Sequence, residues 1–127
     1  MINLVLTSRN NEMLSRYTEI FEKIGGFSLT RISSGQETLD FVSGHSIQLV
    51  IADEKMEDMT GLEMVKKMIP LSPITNSALI STLSPDEFHE ASEGFGVVGQ
   101  LSANPDSEEI NQFLDHLSKI FNITIDT

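Results

Sequence analysis

The chain predicts a doubly wound α/β domain, and three observations carry that expectation. Short apolar runs alternate with amphipathic segments almost from end to end. Strands alternating with helices imply a parallel sheet covered on both faces through right-handed crossovers. The run Leu49-Val50-Ile51-Ala52 is continuously apolar, as in a strand buried on both sides, and it ends on a carboxylate, Asp53. Helix-start signals recur between the runs. The clearest is Ser84-Pro85-Asp86-Glu87, with Ser as cap, Pro in the first position and Glu three residues after the cap.

The elements follow in order. Residues 2–7 form a first apolar strand. Asn10 or Asn11 caps a helix to about Ile24, with Met13, Leu14, Tyr17, Ile20, Phe21 and Ile24 on its apolar face. Gly25-Gly26 ends it. Residues 27–32 alternate apolar and polar, as in an edge strand. Ser33 or Ser34 begins a second helix to about Val42, with Leu39, Phe41 and Val42 apolar. Residues 48–52 are the third strand, and residues 60–68 the third helix, which Ile69-Pro70 should end. Residues 77–81 are the fourth strand, and Ser84 caps the helix after it. Residues 96–101 are the fifth strand. Ser107 opens a last helix with Ile110, Phe113, Leu114, Leu117, Ile120 and Phe121 on one face. Five such units suit the flavodoxin-like strand order 2-1-3-4-5, with helices on both faces. One domain is expected over residues 1–121, with residues 122–127 a C-terminal tail or the start of a linker.

Composition narrows the function classes. The chain's 127 residues suffice for one core. Its net charge of −11, from 19 acidic and 8 basic residues, disfavours direct contact with nucleic acid or anionic lipid. There is no cysteine, which excludes disulfides and thiolate metal sites. No stretch approaches a membrane span and the N-terminus lacks a basic-then-apolar signal pattern, so a soluble cytoplasmic protein is expected.

In a sheet of this order the ligand crevice lies at the carboxyl ends of strands one, three and four. Ser8-Arg9, Asp53 and Ser81-Thr82 fall there, with Gln100 near the end of strand five. The arrangement resembles the receiver domain of two-component response regulators, over nearly the whole chain. The most specific local match is Asp53-x-x-Met56-x-x-Met59-x-Gly61. The resemblance implies that Asp53 holds the phosphoacceptor position and Ser81 that of the switch hydroxyl. It also marks departures. Ser8 and Arg9 stand where the family has an acidic pair for Mg²⁺, and Gln100 where it has a lysine. Val97 replaces an aromatic switch residue, and Glu57 a proline. No Asp or Glu occurs before Glu12, and no Lys between Lys67 and Lys119, so a register slip cannot restore the missing groups.

Phosphoryl transfer to a carboxylate gathers negative charge that Mg²⁺ and a cation normally offset. With two negative ligands absent and Arg9 adding repulsion, Mg²⁺ binding is expected to be weak or absent. Gln100 donates hydrogen bonds but carries no charge. Arg9 either pairs with Asp53, neutralising the pocket permanently, or points to solvent.

The expected function is therefore an atypical receiver-like module, not an enzyme, acting through protein contacts with impaired Mg²⁺-dependent phosphorylation. Its partners would be a histidine kinase, an output domain, or a second copy. The resemblance puts partner or self contact on the face of helix four, strand five and helix five, where Phe88, Phe95, Leu101 and Phe113 are apolar candidates. Two alternatives stay open. In one, Asp53 accepts phosphate from a histidine kinase with an unusual metal site of Glu54, Glu57 or Asp58. In the other, the crevice binds an anion through Arg9 and Ser81. The simplest readings elsewhere are structural. His45, His89 and His116 lack ligand spacing and read as surface residues, and Met56, Met59, Met64 and Met68 pack in or beside the core.

Overall fold

The computed structural model describes residues 1–121; the expected tail, residues 122–127, lies outside them. The chain alternates β1 (Ile2–Thr7), α1 (Asn11–Ile24), β2 (Phe27–Ile32), α2 (Gly35–Gly44), β3 (Leu49–Asp53), α3 (Gly61–Leu71), β4 (Asn76–Ile80), α4 (Pro85–Ser92), β5 (Val97–Leu101) and α5 (Ser107–Phe121). All strand pairs are parallel and the sheet order is β2-β1-β3-β4-β5, the flavodoxin-like order predicted.

Side chains of a strand alternate between the two faces of a sheet, and two cores result. Leu4, Leu6, Leu49, Ile51, Ala78 and Ile80 face α1 and α5, against Tyr17, Phe21, Ile110 and Leu114. Val5, Val50, Ala52 and Leu79 face α2, α3 and α4, against Leu39, Met64, Met68 and Phe88. The central strands are apolar through residues 4–6, 49–52 and 78–80 because both faces are covered there.

The caps expected at Asn10, Ser34 and Ser84 form, and Thr60 supplies another. Asn10, Ser34, Thr60 and Ser84 each accept a hydrogen bond from a backbone N–H in the first turn of the following helix. The last helix is capped by Asp106, whose carboxylate accepts from Glu109 N–H at 2.8 Å.

Several boundaries differ from expectation. α3 does not stop before Ile69-Pro70 but runs to Leu71. Pro70 lies in the last turn, where its missing N–H forfeits a single helical bond. Ser72 N–H then closes the turn on the Met68 carbonyl at 2.8 Å. α2 continues to Gly44. β3 includes Asp53 and β4 ends at Ile80, so the carboxylate sits on the sheet and Ser81 just beyond it. Phe88, Leu101 and Phe113, expected at a contact face, are core residues with 9%, 2% and 7% of their surface exposed. Phe113 is drawn in by Gly99, whose missing Cβ would lie 2.9 Å from its ring.

Candidate functional site in the crevice of the sheet

The register pairs Thr7 with Ala52 and Asp53 with Ile80, which brings Ser8, Asp53 and Ser81 to one end of the sheet. Ser8 is buried. Its hydroxyl donates to Asp53 Oδ2 at 2.8 Å and accepts from Asn10 N–H at 2.9 Å. Asn10 is itself the α1 cap, accepting from Met13 N–H. The Asp53 carboxylate is thus joined through one hydroxyl to the start of a helix.

Arg9 does not take the place expected for it. It is exposed, and among the described residues it forms no ion pair with Asp53 or any other carboxylate. β1 ends at Thr7, and of the two residues that follow, Ser8 is buried in the crevice while Arg9 is exposed, its guanidinium left in water instead of being desolvated. Arg9 and Lys55 line an open surface depression over the β3–α3 loop, together with Glu57 and Glu63. The anion site expected between Arg9 and Ser81 is therefore not assembled.

The β3–α3 loop is tightly drawn. Met56 N–H donates to Met59 O at 3.0 Å, and Gly61 N–H to Glu54 O at 3.0 Å. Gly61 passes so close to the strand that a Cβ would collide with the Asp53 carbonyl oxygen and lie 3.0 Å from Leu79 Cδ2. The spacing from Asp53 to a glycine has this steric origin.

The acidic side chains of that loop diverge. Glu54 reaches the β4–α4 loop and accepts from Thr82 N–H and Thr82 Oγ1, both at 3.1 Å. Asp58 reaches α2 and accepts from Gly35 and Gln36 N–H, both at 2.9 Å. Those two bonds, Gln36 first, hold its carboxyl below the usual aspartate range. Glu57 is exposed. The expected metal site of Glu54, Glu57 or Asp58 is not assembled: among the described residues no three His, Asp or Glu side chains converge as ligands.

Gln100 is at the site but not on Asp53. Its amide donates to Leu83 O at 2.7 Å and Ser81 O at 3.3 Å, clamping the β4–α4 loop to the end of β5. Ser81 adds to the clamp: its N–H donates to Leu101 O, and its hydroxyl accepts from Leu83 N–H at 3.1 Å. On the other side of β1, Thr38 Oγ1 donates to Ser34 O, which leaves Thr7 Oγ1 to donate to Thr38 at 2.8 Å.

Sequence reasoning placed Thr82 in the crevice and offered Glu54 as a metal ligand, but missed that the two pair with each other. It also missed Tyr17 at the site, whose hydroxyl donates to Ser102 O. Burial pushes the Tyr17 phenol well up, and the negative charges of Glu109 and Asp53 push it further. The signal was its type: a buried tyrosine needs a partner for its polar tip.

A five-stranded parallel sheet with a carboxylate closing β3 and a hydroxyl following β4 defines a CheY-like α/β domain. Residues 9–115 match the family model of the response regulator receiver domain, and the chain belongs to that family. Receiver domains are signalling modules of two-component systems and work through contacts with other proteins, generally not as enzymes. Among curated proteins, the uncharacterized transcriptional regulatory protein YesN of Bacillus subtilis is 25% identical over 97 residues. That match covers 76% of this chain but only 26% of the relative. Among solved structures, a two-component response regulator from Clostridium difficile superposes with a TM-score of 0.81 at 11% identity, covering 95% of this chain and 99% of that one. Chemotaxis protein CheY4 of Vibrio cholerae does so at 0.80 and 19%, covering 91% and 97%. At such identities the likeness is one of fold. Among the described residues no helix is long and apolar enough to cross a membrane.

Proposed function

We propose that this receiver domain signals through protein contact and is not switched by ordinary Mg²⁺-dependent phosphorylation of Asp53. Asp53 is read as the phosphoacceptor position and Ser81 as the switch hydroxyl position. Ser8 and Arg9 fill the acidic-pair positions, and Gln100 the lysine position. The observation that carries this reading is the hydrogen bond from Ser8 to Asp53. Where a metal-binding receiver needs a second carboxylate, a buried neutral hydroxyl already occupies the phosphoacceptor side chain. Mg²⁺ takes charged oxygens in near-octahedral geometry and sheds water reluctantly. One carboxylate beside one hydroxyl does not fit it.

The rest of the crevice supports the same conclusion. A switch needs the β4–α4 loop to move when phosphate arrives. In this chain Gln100 and Glu54 hold that loop with four hydrogen bonds of 2.7–3.3 Å that require no phosphate. The partner in this reading is a histidine kinase or an output domain; a second copy meeting the α4–β5–α5 face is the remaining case.

Incubation with Mg²⁺ and acetyl phosphate, followed by intact mass, tests the proposal. No phosphoryl adduct is expected. An adduct that disappears in Asp53→Asn would overturn it and favour a competent phosphoacceptor.

A further inference from the structure

Beside the crevice, α3 and α4 leave a cleft of about 230 Å³ walled by Leu62, Leu79, Leu83, Phe88 and Ala91. Glu54 and Ser81 stand at its upper lip. Leu83 is 40% exposed at the edge. A second depression, made by Leu83, Ala91, Glu87 and Glu90, continues the cleft over the surface of α4.

We infer that this cleft receives one large apolar side chain from a segment of a partner protein, with lysine or arginine beside it in that segment. The volume decides against a small organic ligand, whose pockets run from roughly 300 to 1,000 Å³. It suits a single anchoring leucine, methionine or phenylalanine, the usual centre of a protein contact. Charge decides the flanks. Residues 81–96 carry Asp86, Glu87, Glu90 and Glu93, with no lysine or arginine, and Glu54 also lines the cleft. That rim repels nucleic acid and anionic lipid. It also opposes a second copy, which brings its own net charge of −11. On α3, Lys66 stands one helical turn beyond Leu62 and lies over the Phe95 ring at 4.7 Å, so it is the acidic α4 side that favours a basic segment.

The inference rests on the protein-contact reading above, yet the two fail separately. Phosphorylation of Asp53 would remove that reading without bearing on what the cleft holds. The test is selection of displayed random dodecapeptides on the intact chain, with affinities and amide shifts measured for the winners. Enriched peptides should share an apolar residue flanked by Lys or Arg and shift the amides of Leu62, Leu83 and Ala91. Ala91→Phe fills the cleft from an exposed position, and Glu90→Lys reverses one rim charge without touching the walls. Each should weaken binding on the order of tenfold while circular dichroism stays unchanged. No enrichment, winners without basic flanks, or winners that bind both variants as well as the parent would overturn the inference. A concentration-dependent dimer that Ala91→Phe abolishes would give the cleft to a second copy and overturn it equally.

Discussion

The crevice and the α3–α4 cleft share Glu54 and Ser81, but they answer solvent in opposite ways. In the crevice, polar side chains are spent on one another: Ser8 on Asp53, Glu54 on Thr82, Gln100 on the Ser81 and Leu83 carbonyls. Among the described residues no buried side-chain nitrogen or oxygen lacks a hydrogen-bond partner. Next to it, Leu83 is exposed and Leu62 only half-buried at the mouth of the cleft. A polar site that satisfies itself has little to gain from a ligand, whereas exposed apolar surface gains from any partner that removes it from water. In the proposed reading, recognition by this domain falls to its flank and not to the crevice.

The largest expected effect tests the geometry that builds the crevice. Gly61→Ala drives a Cβ into the Asp53 carbonyl, a backbone atom that cannot step aside, and should destabilise by about 1–3 kcal/mol. Gly44→Ala is the control, because its Cβ would meet nothing within 4 Å. It should be neutral or stabilising by less than ~1 kcal/mol in urea unfolding.

Ser8 comes next. Ser8→Ala removes the hydroxyl from Asp53 and should cost about 1–2 kcal/mol. Ser8→Asp puts two carboxylates together and should lower the apo Tm further. Millimolar Mg²⁺ should then restore Tm in this variant and leave the parent unmoved. Arg9→Asp, at an exposed position, should add little; an equal Mg²⁺ response from Arg9→Asp alone would place the metal elsewhere.

Gln100→Leu should release the β4–α4 loop. Amide exchange at Ser81 to Leu83 should quicken while global stability falls by about 1 kcal/mol. If exchange stays slow, the remaining bonds, those of Glu54 with Thr82 and of Ser81 with Leu101 and Leu83, hold the loop.

The smallest effect is that of Asp58→Asn, about 1 kcal/mol or less at neutral pH, since the carboxylate is exposed. Its folded pKa lies below the unfolded one. The contribution is therefore complete above the unfolded value, near pH ~4, and is lost as pH falls through the folded value. The difference between parent and variant should shrink in acid.

Much of this molecule is legible in its sequence. Caps at Asn10, Ser34 and Ser84, the apolar run before Asp53 and the alternation of elements are local signals, and they lead to the strand order. The fate of polar side chains in the crevice is not local. That Ser8 is buried while Arg9 is exposed depends on the β1–β3 register. That Gln100 clamps a loop depends on where the Leu83 carbonyl falls, 17 residues away in sequence. Pro70 misleads for the same reason, since what a proline disrupts depends on how near the helix end it falls.

Tyr17 is the sole tyrosine of a chain without tryptophan, and it is 1% exposed. Near-ultraviolet absorbance and fluorescence of the tyrosine type therefore come from a single point between α1 and the β5–α5 loop. Because its phenol resists ionisation in the fold, tyrosinate forms when the chain opens. Stability drawn from this group is intact below about pH 10 and declines as pH rises beyond it. Alkaline titration of the unlabelled protein thus reports opening of that packed corner directly, with no engineered probe.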